Sequence, residues 1–352
     1  MIHIDERSPE ETIAYLEEQI LQRIDSIIAG KERQDITSIS GRRITVSIGS
    51  RPIFNFKLTF TGKGGPEEHE IILKQVKDEF YVKDVFREHH QLAERYHSQN
   101  MRAIVPEPYF FIEDGNYLAM GYVRGSSLLK TVLRSLLTRS SASFRDTFTE
   151  LGSSLAGFHG MYLGDRDPVT FDGLIQETLP LLEDSTNLSD EMRKTLKGHL
   201  KRVAEGPWGE RPVPISRNYN DWTMRNFLID DEGTLTLLDT DAMTHPHFNE
   251  YNLIWNDVVT FIMNLESQTR YSPLIRRKDI RTLENCFLQG YLAGSAGKVA
   301  DGEIDDLLFV AAIRIYLSRT RPFRNKFAGR LSKRFLREFE TALLNGRGRI
   351  LG

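Results

Sequence analysis

Residues 220–241 read NDWTMRNFLIDDEGTLTLLDTD, and this stretch decides how the rest of the chain is read. Strand-forming residues, NFLI and TLTLL, flank a turn at Asp230–Gly233. Three polar residues punctuate this apolar hairpin: Asp221 at its start, Asn226 at its shoulder and Asp239 at its end. Each has an ordinary local reading, since Asp and Asn serve as helix caps, turn residues and strand ends. Together they form an oxygen-donor set of the type a hard divalent cation takes. Asp221 and Asn226 stand five residues apart, so one tight loop can aim both side chains at one point, and the hairpin returns Asp239 to the same end.

Upstream, the hydrophobic period identifies the elements that accompany this hairpin. Ser8-Pro9-Glu10-Glu11 reads as an N-cap, a first-turn proline and early acids, predicting a helix to about Ile28 that stops near Gly30. RRITVSIGSRPIFNFKLTF and HEIILKQV alternate with period two, predicting three antiparallel strands between Ser38 and Val76, with Gly49 and Ser50 in the first turn and Lys74 in the third strand. A helix from about Asp78 to Ser98 carries Glu88, and two more strands flank the turn Glu113–Asn116. After Arg124 the pattern is mostly helical. A β-rich first third followed by a helical remainder is an α+β, two-lobed pattern. It predicts an N-terminal helical extension (1–37), a small antiparallel-sheet N-lobe (38–123) and a larger helical C-lobe (124–352), with the boundary near Gly121–Gly125.

In chain order, the chemistry-bearing residues are a glycine turn, a strand lysine, a helix glutamate, then Asp221, Asn226 and Asp239. That inventory matches phosphoryl transfer from ATP, which needs positioning and charge neutralisation more than covalent chemistry. A strand lysine can neutralise phosphates, a glutamate can hold that lysine, an aspartate can receive a hydroxyl proton, and an Asn with a second Asp can hold Mg²⁺.

Four segments, in this order, carry a family likeness: FREHHQLAERYHSQNMRAIVPEPYFF (86–111), YLAMGYVRGSSL (117–128), LGSSLAGFHGMYLG (151–164) and YNDWTMRNFLIDDEGTLTLLDTDAM (219–243). The chain resembles the aminoglycoside phosphotransferase / choline kinase superfamily, which has a protein-kinase-like fold, over about residues 40 to 260. The resemblance implies a kinase using ATP and Mg²⁺. Lys74, paired with Glu88, would contact the phosphates, and the turn with Gly49 and Ser50 would cover them. The backbone from Met120 through Tyr122 and Val123 would read adenine. Asp221 would be the base, and Asn226 and Asp239 would bind Mg²⁺. Asp241 is a second candidate, but Asp239 ends the TLTLL strand, as the motif requires. Tyr219-Asn220 replaces the His-Gly that the family usually has before its catalytic aspartate, which keeps a non-catalytic nucleotide-binding reading in view. A protein kinase is a further alternative, although the chain lacks a recognisable Ala-Pro-Glu segment.

The acceptor is expected to be a small molecule or glycan bound in the helical lobe. THPHFNEYNLIWNDVVTF (244–261) offers Glu250, Tyr251, Trp255 and Asp257 as an acceptor wall, in which the aromatics could cage a cation. The favoured reading of the same segment is helix core, Leu253, Ile254, Val258 and Phe261, with Asp257 bracing the catalytic loop. From Ala311 onward the chain has eleven Lys and Arg against two Glu. That is either a solvated helix face or a surface for an anionic acceptor such as a phosphorylated sugar or lipopolysaccharide core.

Composition bounds the rest. The 352 residues suit two lobes, and a net charge of −3 argues against a dedicated nucleic-acid binder. The single Cys286, expected in a buried helix, permits no internal disulfide and fits a reducing compartment, so a cytoplasmic location is expected. The N-terminus lacks the basic and apolar regions of a signal peptide, and the longest apolar run, LLFVAAI, is too short to span a bilayer.

Overall fold

The computed structural model describes all residues except 1–7, 45–50, 63–64, 78–80, 99–102, 165–166, 187, 220, 241–250, 270–271, 296–300, 327–329 and 348–352, with backbone alone at 251–252, 301–302, 318–326 and 330–333. The chain divides into two compact units. One is Met1–Gly125 together with Thr236–Pro246, and the other is Ser126–Leu235 together with His247–Gly352.

The first unit opens with α1 (Pro9–Leu21) and α2 (Ile24–Ile27), followed by β1 (Ile36–Arg43), β2 (Ile53–Gly62) and β3 (Gly65–Gln75), then α3 (Val82–Ser98), β4 (Pro108–Ile112) and β5 (Tyr117–Gly121). Ser8 caps α1, as the sequence predicts, and its capping box with Glu11 completes the cap. The expected single helix breaks after Leu21, at Gln22-Arg23, and resumes as α2. The five strands form one sheet in the order β1-β2-β3-β5-β4, each antiparallel to its neighbour.

Both faces of this sheet are apolar, and each is covered. Leu16, Ile20, Ile24 and Ile27 form one stripe of α1 and α2, buried against Phe54, Phe56, Ile71, Leu73 and Tyr117. Val82 and Val85 of α3 pack with Leu118 and Met120 on the other face, joined there by Ile72. The period of two along β3 therefore sends Ile71 and Leu73 to the α1–α2 side, and Ile72 and Lys74 to the α3 side. The N-terminal segment, whose purpose the sequence does not reveal, is the cover of the sheet's far face.

Asn116 fixes the near cover. It sits at φ 59°, with Gly115 at 85°, in the turn between β4 and β5. Its Oδ1 accepts the Val82 N–H at 3.0 Å, and its Nδ2 donates to Val76 O and Lys77 O at 3.2 and 3.0 Å. One turn residue thus satisfies a helix-start N–H and tethers the α3 N-terminus to the end of β3.

The second unit comprises β6 (Ser126–Ser127), α4 (Leu128–Leu137), α5 (Arg145–Gly160), β7 (Val169–Thr170), α6 (Phe171–Glu183), α7 (Asp190–Ala204), β8 (Pro212–Val213), β9 (Ile215–Arg217) and β10 (Phe227–Ile229). The short β11 (Leu235–Leu237) straddles the division between the units. β12 (Tyr251–Leu253), α8 (Trp255–Thr269), α9 (Arg277–Gly294), α10 (Asp301–Lys326) and α11 (Arg330–Leu344) complete the second unit. α5 and α9 approach backbone to backbone. A Cβ at Gly152 would collide with the Phe287 carbonyl, and one at Gly290 with the Thr149 carbonyl. Cys286 of α9 is half-buried, so the expectation of a core thiol is corrected. The basic C-terminal stretch ends in α11, whose Phe335 and Phe339 are buried, while Arg334 pairs with Glu338 at 3.0 Å. Among the described residues, no helix is long and apolar enough to cross a membrane.

Candidate active site

Lys74 reaches the α3 side of the sheet because strand alternation puts it there, and its Nζ lies 2.8 Å from Asp239 Oδ1. The two residues are 165 apart in sequence. Asp239 reaches Lys74 because the segment after β11 belongs to the first unit: Leu237 N–H donates to Ile104 O at 2.9 Å, and Thr236 bridges Ile104 in parallel. The lysine side chain is 16% exposed and the aspartate 38%, so the pair is partly desolvated yet still reachable from solvent. Glu88 lies half-buried on α3.

The residue after Asp239 is held more tightly. Thr240 is buried, and its Oγ1 lies 2.8 Å from His89 Nδ1. His89 Nε2 lies 2.6 Å from Pro106 O. A carbonyl can only accept, so Nε2 carries the hydrogen. Burial then pushes the ring's pKa from 6.5 to about 4; the Pro106 bond and Asp239 favour the charged form, whereas Lys74 and His90 oppose it. The ring is therefore neutral near pH 7, and its Nδ1 accepts the Thr240 hydroxyl hydrogen.

This buried histidine is expected to make the fold less stable in acid. The unfolded chain protonates His89 near 6.5, while the folded site resists protonation down to about 4. The unfolded state therefore binds the additional proton across that window. Stability is fully present above pH 6.5 and falls as pH drops from 6.5 towards 4, by roughly 3 kcal/mol at most from this group. Denaturant unfolding at pH 7 and pH 4.5 is expected to show the loss, and His89→Gln should flatten it. An equal slope in that variant would assign the lability to other groups.

In the second unit the loop between β9 and β10 carries Asp221 and Asn226, both half-buried. Asn226 Nδ2 donates to Asp221 O at 2.9 Å and to Asp221 Oδ2 at 2.8 Å. The spacing read from the sequence thus becomes one closed turn with the carboxylate and amide side chains in contact. β10 pairs with β6, and the Asp230–Gly233 turn is held by Asp230 Oδ1, which accepts from Glu232 N and Thr234 N.

The stem of that loop is braced from below. Asp257 Oδ2 accepts the Tyr219 N–H at 2.6 Å and lies 3.2 Å from His159 Nε2. His159 Nδ1 and the Tyr291 hydroxyl are hydrogen-bonded at 2.9 Å. Burial, then the charge of Asp257, raises the Tyr291 phenol well above its ordinary range, so it stays neutral. Ser216 Oγ donates to His159 O at 2.8 Å, and Asn218 Nδ2 donates to Leu253 O at 3.1 Å. The Tyr219 ring, where a histidine was the familial expectation, packs edge-on against Phe158 and Trp222 with centroids 5.7 and 5.3 Å away.

The remaining expected residues fare unequally. Gly49, Ser50, Glu250 and Asp241 lie outside the described residues, and only the backbone of Tyr251 is described, paired with Arg217. Met120 is buried opposite Ile72, and Tyr122 N–H donates to Glu70 O at 3.2 Å beside half-buried Val123. Trp255 and Asp257, offered as an acceptor wall, are each only 1% exposed. α8 is buried around most of its circumference, and the alternative reading of the segment describes both residues: Asp257 braces the loop, and the Trp255 ring packs on Tyr291. A cavity of ≈ 270 Å³ in the second unit is lined by Trp255, His159, Tyr291, Arg211 and Glu303, among others, and Asp221 is not part of its lining. Sequence reading also missed His89, Thr240 and Tyr291. His89 alone left a trace, as a histidine on the apolar stripe of α3.

No protein-family model matches the chain, and no curated protein matches it in sequence. Solved structures do match its fold. A putative aminoglycoside phosphotransferase from Ralstonia eutropha superposes at TM-score 0.55 with 15% identity, covering 95% of this chain and 96% of that one. A Plasmodium vivax ethanolamine kinase gives 0.51 at 12% identity, with coverage of 96% and 88%. A glucosamine kinase in complex with glucosamine, ADP and inorganic phosphate gives 0.51 at 15% identity, with coverage of 96% and 83%. The fold is therefore the kinase-like α+β fold of these phosphotransferases.

Proposed function

We propose that the chain is an ATP- and Mg²⁺-dependent phosphotransferase that moves the γ-phosphoryl group to a hydroxyl of a small molecule or glycan. The observation that carries this reading is the Lys74–Asp239 pair at 2.8 Å, which unites a strand lysine with the acid that ends the hairpin in a fold shared with small-molecule kinases.

The chemistry of the residues supports this reading. Asn226 directs its amide nitrogen at Asp221, so its oxygen would be the ligand atom, and Asp239 would supply a carboxylate. Among the described residues no cluster of three or more His, Cys, Asp or Glu could cage a metal. Each is an oxygen donor of the kind Mg²⁺ takes, and in the proposed reaction one carboxylate and one amide oxygen would suffice, since Mg²⁺ keeps waters and binds through substrate phosphates as well. Bound there, the ion would neutralise charge on the phosphate oxygens. Lys74 would add its own charge, and Val123 would meet the adenine edge, because the Tyr122 N–H is already bonded to Glu70 O. Asp221 would take the proton of the acceptor hydroxyl. The hydroxyl oxygen then forms its bond to the γ-phosphorus as the bond to the bridging oxygen breaks, and ADP leaves.

Lys74→Met keeps the length and apolar stem of the side chain and removes its charge. It is expected to lower kcat/KM for ATP by roughly 10²–10³-fold, the cost of losing one electrostatic contact to the transferring group. Normal kinetics in that variant would break the lysine assignment.

The reading is tested with γ-labelled ATP, Mg²⁺ and fractionated cell extract, with an Asp221→Asn chain as the blank. Label in small-molecule or glycan fractions supports it and supplies material to identify the acceptor. Label confined to protein would convert the reading to a protein kinase, and no label above the blank across all fractions would count against transfer.

A further inference from the structure

Asp239 is the acid on which the proposed site turns, yet its own peptide is anchored through its neighbour. Asp239 turns towards Lys74, and Thr240 turns into the interior, where it is 1% exposed and bonded to His89. His89 is fully buried on α3, one residue after Glu88, and its other nitrogen is bonded to Pro106 O just before β4. One imidazole therefore ties three segments of the first unit: the helix, the approach to β4 and the strand end that bears Asp239.

From this geometry we infer that His89 and Thr240 are positioning residues which, through their mutual hydrogen bond, hold Asp239 in register with Lys74 and with the α3 helix. Neither touches the nucleotide or metal in this scheme. The inference rests on the proposed nucleotide site and adds to it two residues that the sequence motifs do not mark.

An apolar pair would fill the same volume without the desolvation that drives the His89 pKa down to about 4. What an apolar pair cannot supply is direction. The Nε2–H to Pro106 O bond fixes the ring's tautomer and orientation, and that orientation presents a single lone pair at Nδ1 to a single hydroxyl. A hydrogen bond of this kind sets the rotation of the peptide between residues 239 and 240, and with it the direction of the Asp239 carboxylate. Outer-shell partners of this sort typically change metal affinity 10–100-fold when removed.

The test needs no acceptor. Binding of ADP is followed by calorimetry across a range of Mg²⁺ concentrations, for the wild-type chain, Thr240→Val and Thr240→Ser, with a thermal melt of each. Thr240→Val keeps the shape and removes the hydroxyl. It is expected to weaken Mg²⁺-dependent ADP binding by roughly 10–100-fold. Thr240→Ser keeps the hydroxyl and should restore binding. If Thr240→Val binds ADP with the wild-type Mg²⁺ response, even at a lower melting temperature, the couple is merely structural and the inference is overturned. Should Thr240→Val fail to fold, the smaller Thr240→Ala must show the same weakened response, and a wild-type response there overturns the inference equally. Failure of the wild-type chain to bind Mg·ADP removes the nucleotide site itself, and the couple's role with it. That outcome is visible before any variant is made.

Discussion

Asp221→Asn is expected to lower phosphoryl transfer by roughly 10²–10⁴-fold, the usual contribution of a positioned general base, while leaving Mg·ATP affinity nearly unchanged. The substitution is close to isosteric. The new side-chain carbonyl can still accept from Asn226 Nδ2, whose other bond is to the Asp221 backbone carbonyl and does not depend on the side chain. The loop should therefore keep its shape, held also by Asp257 at Tyr219 N–H. What disappears is the capacity to take a proton. A loss of this size is about 3–5 kcal/mol of barrier, at about 1.4 kcal/mol per decade. Single-turnover rates with any acceptor found by labelling would measure it. Equal rates in the variant would remove Asp221 as the base.

Asp239→Asn should act on a different quantity. Its amide can still accept a hydrogen bond from Lys74 Nζ across the 2.8 Å gap, so the local packing has no reason to collapse. The charge that attracts a divalent cation is gone, however. We expect nucleotide binding that no longer strengthens with added Mg²⁺, a loss exceeding the roughly 10–100-fold typical of outer-shell partners. Calorimetric titration of ADP with and without Mg²⁺ reads this directly. An undiminished Mg²⁺ response would move the ligand role to another acid, Asp241 being the nearest in sequence.

Several elements were legible in the sequence because they depend on local pattern. Period-two alternation in HEIILKQV specifies the strand that carries Lys74. The Asp-x₄-Asn spacing yields the closed turn between Asp221 and Asn226, and the Ser8 cap with its first-turn proline marks the first helix. Other features were hidden for equally physical reasons. His89 and Thr240 are 151 residues apart, and His159 and Tyr291 are 132 apart. No local spacing reports such pairings. An aromatic stripe says which helix face is apolar without saying what covers it, so the burial of Trp255 and Asp257 on the enclosed α8 was not legible from spacing alone. Nor did the amphipathic start of the chain announce that α1 and α2 roof the sheet, since one apolar stripe suits many partners.

The glycine contact between α5 and α9 bears on how this sequence can vary. Gly152 and Gly290 let two helix backbones touch, and the same two helices carry His159 and Tyr291, whose 2.9 Å bond leads to Asp257 and the stem of the Asp221 loop. Any larger residue at either glycine levers the helices apart and lengthens that chain of bonds from its far end. In a survey of random substitutions, both positions would be depleted as severely as the acids at the site, though neither is a residue proposed to hold nucleotide or metal. Tolerated change would require paired replacements that carve space on the facing helix, so the two positions should drift together or not at all.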